Sequence, residues 1–359
     1  MTGPSNREES GLVREDRIAF GEAKRDGRGM KHTLRTMLLG LAALLVLIVC
    51  GFAGVIAFSA PQAPPVLAAG DSVPGMAAWN FAAIPKPQRV TARDGAPLVY
   101  RLYPGQVDRA VVLVHGSTGS GLEMDKVARA LQAEGATVYA IALRGHGGSG
   151  TRNGDVSYIG QLDDDLADLV KTVGLDKPGV RRTLMGFSAG GGFVLRTASG
   201  RNAALFDNYI AVSPYLGSDS PTNRPGTGGW TSVATPRIVA LSLLSQAGLP
   251  WFQDLAVVHF ATNAQADDNR TPVYSFRLLA SLNIGRHWRE ALAHIRPPTQ
   301  IVVGANDELF LADRFAPLMK EIDPRIGVTV LPGHGHLGMI GDTDAATSLA
   351  TIWKTSAGS

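Results

Sequence analysis

The chain has 359 residues, 45% of them apolar and 18% charged, which suits one large domain or two ordinary ones with a sizeable core. The formal net charge is only +3, and no cluster of Lys and Arg is interleaved with aromatics, which argues against nucleic acid as a partner. The single cysteine, Cys50, lies inside an apolar run, so the folded part uses no disulfide and no thiolate metal site.

In chain order, the polar, charged stretch 1–35 reads as a disordered tail. Residues 36–58 follow without a charge. At 1.5 Å per residue these 23 residues reach about 35 Å as a helix, enough to cross a bilayer and longer than a typical signal-peptide core. Lys24, Arg25, Arg28, Lys31 and Arg35 precede the run, whereas 59–85 carries no Lys or Arg. The positive-inside rule therefore predicts a single-pass anchor with a cytoplasmic N-terminus. The rest of the chain would be extracytoplasmic, hence periplasmic in a Gram-negative bacterium. Cleavage near Ala68 is the alternative. The Ala- and Pro-rich stretch 59–87 reads as a partly stiff linker.

From residue 88 to 357 short apolar runs alternate with helix-like stretches. Strands are expected at 110–115 (AVVLVH), 137–143 (TVYAIAL), 182–186, 209–213, 300–304 and 328–331. Helices are expected at 122–134 and 162–173, and an antiparallel hairpin at 88–91 and 98–103. This alternation argues for an α/β class: a mostly parallel sheet covered on both faces. Residues 218–296 break the rhythm, opening on SDSPTNRPGTGGW and continuing with helical patterns at 238–246 and 275–282. An insertion of this length reads as a helical lid. Its Trp230, Trp251, Phe252, Phe260 and Trp288 either line an apolar pocket or pack the lid onto the sheet.

The run Gly186-Phe187-Ser188-Ala189-Gly190 falls where a strand turns into a helix. Small residues flanking a serine there let the backbone turn sharply and project the hydroxyl, with the helix N-terminus beside it. Ser188 is the expected nucleophile. The loop His115-Gly116-Ser117-Thr118-Gly119 follows another strand, so the Ser117 and Ala189 N–H groups are the candidate oxyanion donors. A general base must arrive late, in Leu331-Pro332-Gly333-His334-Gly335-His336. His336 is preferred, with His334 in reserve. The orienting acid is sought after strand 300–304, where Asp307 is preferred over Glu308 because it sits nearer the strand end. His146, in the turn Arg144-Gly145-His146-Gly147-Gly148-Ser149, reads as structural.

Together HGSTG, LRGHGGSG, GFSAG, GANDELF and GHGHLG resemble the α/β-hydrolase superfamily. They are most similar to its lysophospholipase and monoacylglycerol-lipase-like branch, also labelled serine aminopeptidase S33. The resemblance covers about 88–352. It implies an α/β-hydrolase fold after one transmembrane helix, and a Ser188-His336-Asp307 serine hydrolase without metal or cofactor. Its partner would be a small ester or acyl lipid. Ala142 departs from the acidic residue that this branch often carries before its Arg-Gly turn. Amide hydrolysis of the aminopeptidase type, with Asp267-Asp268 as a weak candidate for binding a free amine, is one alternative. Perhydrolase-like chemistry and a non-catalytic binding protein of the same fold are the others.

Overall fold

A computed structural model describes residues 27–64, 83–261, 270–295 and 298–357. Most of the expected tail, part of the expected linker and Asp267-Asp268 lie outside the described residues. The chain divides into two units, one ending at Gly54 and one starting at Val55.

Most of helix α1, Gly27–Phe58, falls within the first unit. It begins nine residues before the expected apolar run, because backbone hydrogen bonding continues through Lys31 and Arg35 whatever their polarity. Met30–Phe58 has a mean hydropathy of 2.8 and is long and apolar enough to cross a membrane, a test that a signal sequence near an N-terminus also passes. Leu38, Leu41 and Leu45 are 58–64% exposed, unlike the side chains of a helix in a soluble core.

The second unit is built on strands β1 (Gln88–Thr91), β2 (Pro97–Tyr103), β3 (Gln106–Val114), β4 (Ala136–Ala142), β5 (Arg181–Phe187) and β6 (Asn208–Val212). After an insertion come β10 (Thr299–Gly304) and β11 (Gly327–Leu331). These eight form one sheet in the order β1-β2-β4-β3-β5-β6-β10-β11. The hairpin β1–β2 and the pair β2–β4 are antiparallel, and all other neighbours are parallel. The reason is in the sequence: β3 ends on five fully buried residues, Ala110 to Val114, and β6 is buried throughout, as strands covered on both faces must be. The sheet rim is more polar, and β3 starts four residues before its apolar run through the exposed Gln106, Val107 and Asp108.

Helices α2 (Asp125–Ala133), α9 (Gly338–Gly341) and α10 (Thr343–Ala357) cover one face. Val111, Leu113, Met185 and Phe187 pack there with Val127, Leu131, Leu349 and Trp353. The Trp353 indole donates to Thr183 Oγ1 at 3.1 Å, which satisfies its buried N–H. Strand alternation sends Val112, Val114 and Leu184 to the opposite face. There α4 (Ala189–Ser199), buried over most of its length, approaches Val114. Helices α3 (Gln161–Thr172) and α8 (Ala312–Ile322) complete the frame.

Between β6 and β10 lie β7 (Thr231–Val233), α5 (Thr235–Gln246), β8 (Ala256–Phe260), β9 (Val273–Ser275), α6 (Phe276–Leu282) and α7 (Trp288–Ala293). The expected helices of the insertion are present as α5 and α6, with α7 after them, and a small sheet that the sequence did not suggest lies with them. Strands β7, β8 and β9 form a small antiparallel sheet beside the helices. Two of them are three residues long, too short for a period-2 pattern to emerge from the sequence. The aromatics of the insertion divide into a buried set and an exposed set. Trp288 is buried and donates to Asp219 Oδ1 at 2.9 Å, and Phe260 meets Tyr274 edge to face. Trp251 and Phe252 are 58% and 55% exposed.

Candidate active site

The sheet order explains why distant residues meet. Strands β5, β10 and β11 lie on one side of β3, so the turns after them and after β3 collect along one rim, at the C-terminal ends of parallel strands.

Ser188 stands between β5 and α4 with φ 54° and ψ −115°, a backbone region costing about 1–3 kcal/mol for a non-glycine residue. The neighbourhood holds it there. The Ser188 N–H donates to the Val212 carbonyl at 2.8 Å, and its own carbonyl accepts from Gly192 and Tyr215. Small residues are required around it. A Cβ on Gly190 would come 2.3 Å from the His115 carbonyl oxygen, and one on Gly186 would come 2.5 Å from that of Gly190.

Ser188 Oγ lies 3.0 Å from His336 Nε2, and His336 Nδ1 lies 2.9 Å from Asp307 Oδ2. Asp307 Oδ1 accepts the N–H groups of Leu309 and Phe310, both at 2.9 Å. Burial pushes the Asp307 carboxyl up, but His336 and these donors outweigh it, and the net position is below the usual 3.8. An ionised Asp307 fixes the proton on His336 Nδ1, which leaves the Nε2 lone pair facing the serine hydroxyl. The imidazole is wedged between Phe187 and Phe310, with ring centroids at 4.7 and 5.2 Å. Ser188, Asp307 and His336 are 9%, 0% and 3% exposed, so the row is shielded from bulk water.

The other sequence candidates fall elsewhere. His334 turns to Asp342, with Nδ1 2.9 Å from Oδ2. Glu308 accepts the backbone N–H of His336 at 2.6 Å, and a Cβ on Gly335 would meet the same carboxylate oxygen at 2.6 Å. This seat for the histidine loop was not read from the sequence, although Glu308 adjoins Asp307. The insertion contributes as well: the Arg224 guanidinium donates to the Asp307 carbonyl at 3.0 Å. His146 is buried in a tight turn in which the N–H groups of His146 and Ser149 bond to Leu143 and His146. In that turn Arg144, 4% exposed, is paired with Asp165 at 2.7 Å and Asp94 at 2.9 Å.

The 115–119 loop borders the serine, since a Cβ on Gly116 would lie 3.4 Å from Ser188 Cβ. The Ser117 N–H has no acceptor among the described residues. The Ala189 N–H, first in α4, has none within its helix. Both therefore remain available to a negatively charged oxygen.

A sheet of this order, with a serine at the β5–α4 turn and a histidine after its last strand, is that of an α/β-hydrolase. The family model for serine aminopeptidase, S33, matches residues 105–343, more than half of the chain, and the chain belongs to that family. A monoacylglycerol lipase from Mycolicibacterium smegmatis is 33% identical over 102 residues, 28% of this chain and 36% of that relative's length. Among solved structures, a soluble variant of monoglyceride lipase from Saccharomyces cerevisiae in complex with a substrate analog superposes with a TM-score of 0.59. The match has 18% identity and covers 81% of this chain and 97% of that one. A thermophilic esterase from Thermogutta terrifontis gives 0.51 at 19% identity, over 76% and 100% of the two chains. At these identities the structural likeness speaks for the fold. The family match places the chain among the α/β-hydrolases, and the likeness to the monoacylglycerol lipase is confined to about a third of that relative's length.

Proposed function

We propose that the protein is a serine hydrolase that cleaves carboxylic esters, with Ser188 as nucleophile, His336 as general base and Asp307 as the orienting acid. The observation that carries this reading is the continuous row from Ser188 Oγ through His336 to Asp307, with contacts of 3.0 and 2.9 Å. Ser188 Oγ attacks the ester carbonyl while His336 Nε2 takes its proton. The Ser117 and Ala189 N–H groups hold the oxyanion. His336 returns the proton to the departing alkoxide, leaving an acyl-serine. Water then gives a proton to His336 and attacks the acyl carbon, the bond to Ser188 Oγ breaks as His336 returns the proton to Oγ, and the acid is released.

Acyl lipids or small esters are the substrate class. The lipase and esterase relatives support this, as do apolar side chains exposed on the insertion. Val239 and Leu243, four apart on α5, are 53% and 47% exposed, and Trp251 and Phe252 follow. Helix α1 is proposed as an uncleaved anchor with a cytoplasmic N-terminus, supported by its length, its hydropathy and the basic residues before its apolar run.

The test is a fluorophosphonate probe together with a panel of p-nitrophenyl esters of increasing acyl length and matched aminoacyl amides. Ser188→Ala is expected to abolish labelling and to lower kcat on the order of 10⁴-fold or more. Full ester turnover by Ser188→Ala would remove the assignment. Turnover of the amides alone would move the reading to an aminopeptidase, and a wild-type chain that neither labels nor turns over would be a binding protein.

A further inference from the structure

One buried network joins the insertion to the loop that supplies Ser117. Thr118 has φ 63°, an unusual conformation for a β-branched residue, and it is 7% exposed. Two residues of the insertion clamp it. The Thr118 N–H donates to Tyr274 Oη at 2.8 Å, and the Thr118 carbonyl accepts from the Thr271 N–H at 3.2 Å. Tyr274, on β9, is 1% exposed.

The proton order follows from the donors. Tyr274 Oη already accepts from Thr118, so its own proton goes to His146 Nε2 at 2.7 Å. His146 is then neutral, with its Nδ1–H directed at the Arg144 carbonyl at 3.3 Å. Burial, reinforced by nearby His115, disfavours its charged form. The two rings lie 4.8 Å apart. His115 Nε2 accepts the Leu143 N–H at 3.1 Å, so its Nδ1–H donates to the Gly116 carbonyl at 2.7 Å. In a trans peptide the carbonyl and the following N–H point in opposite directions. With the Gly116 carbonyl tied to His115, the Ser117 N–H is aimed the other way. The peptides on both sides of Ser117 are thus fixed, one by His115 and one by Tyr274, and Thr271 holds the next peptide through the Thr118 carbonyl.

We propose that Tyr274 is a positioning residue: its hydroxyl, backed by His146, holds the strained Thr118 so that the Ser117 N–H meets the oxyanion. The proposal rests on the ester-hydrolase reading and adds to it a role for the insertion. Tyr274 does not touch the reacting atoms. It acts through the loop, so its loss is felt in the transition state and hardly in substrate binding.

The experiment compares the full-length wild type with Tyr274→Phe, His146→Gln and His146→Leu in detergent micelles. It measures kcat and KM on a p-nitrophenyl ester, affinity for a trifluoromethyl ketone that forms a tetrahedral adduct, thermal midpoint, and hydrogen exchange over residues 115–119. Removing a direct oxyanion donor costs roughly 10²–10³-fold in kcat, so displacing one is expected to cost about 10–100-fold. Tyr274→Phe should show that loss with KM within about twofold, a parallel loss of ketone affinity, faster exchange in the loop and a thermal midpoint near that of wild type. His146→Gln keeps an acceptor for the tyrosine proton and should lie much nearer wild type than His146→Leu. Two results overturn the proposal while leaving the hydrolase reading intact. One is wild-type kcat in Tyr274→Phe. The other is a kcat loss matched by a fall in thermal midpoint with ketone affinity unchanged. A wild type that cleaves no ester and binds no ketone overturns the hydrolase reading, and this proposal falls with it.

Discussion

At Asp307 one carboxylate performs two tasks. Its Oδ1 closes the turn through Leu309 and Phe310, and its Oδ2 meets His336. Replacing it with Asn should keep much of the turn, because an amide oxygen still accepts both N–H groups. It would also favour the imidazole tautomer with its proton on Nε2, facing the serine, and remove the charge that stabilises the imidazolium. Asp307→Asn is therefore expected to fold, and to lose on the order of 10⁴ in kcat with little change in KM. Steady-state kinetics beside a thermal melt test this; a loss confined to KM would contradict the role. Glu308 shows how far a sequence reading of this site reaches. The strand-end position singles out Asp307, whereas the use of Glu308 as acceptor for the His336 backbone N–H appears only once the two loops are folded together.

At the scale of elements, the turn from β5 to α4 depends on two close backbone approaches. Gly190 passes the end of β3 so closely that a methyl group there meets the His115 carbonyl. Gly190→Ala is expected to destabilise the fold by about 1–3 kcal/mol and to reduce turnover further by shifting Ser188. Gly229 has open space around its Cβ direction and no positive φ, so Gly229→Ala should change stability by less than about 0.5 kcal/mol. Urea titrations of both variants check the contrast, and equal effects would show that the close approach is unimportant. This crowding is legible as a Gly-x-Ser-x-Gly run, but the run gives only the spacing. The insertion is the opposite case, where β7 and β9 are three residues each and exist because β8 lies between them.

Across the molecule, the second half of the insertion is fastened to the loop after β4. Arg277 reaches Asp155 at 2.7 Å through Nε, the Ser275 N–H donates to the Gly154 carbonyl, and Thr271 Oγ1 donates to the Gly145 carbonyl. Burial pushes the Asp155 carboxyl up, but its bond to Arg277 outweighs this and holds it below the usual 3.8. A depressed folded-state value means that this pair contributes stability in full above about pH 4. That contribution disappears as pH falls through the depressed value. The urea midpoint of the wild type should fall on acidification below about pH 4, and Asp155→Asn, less stable at pH 6, should fall less over the same window. An equal fall in both chains would assign the acid sensitivity to other groups. The proposed anchor has its own test. After expression in a Gram-negative host, the chain should stay in the membrane fraction through carbonate extraction and keep its first residues on N-terminal sequencing. A new terminus near Ala68 would instead mark α1 as a cleaved signal.

The sequence by itself determined the strands of the large sheet, the apolar run and end of α1 and the serine turn, because each is written locally. Apolar β-branched runs, uncharged length and small residues around a turn act within a few positions. It also narrowed base and acid to two residues each. Tertiary structure brought His336 rather than His334 to Ser188 and Asp307 rather than Glu308 to the His336 ring, gave the insertion a sheet of its own, and set Tyr274 and His146 beneath the Thr118 turn. Those outcomes rest on contacts between separate segments of the chain, 29 residues apart for Asp307 and His336 and 156 for Thr118 and Tyr274. No local pattern in either segment encodes its partner.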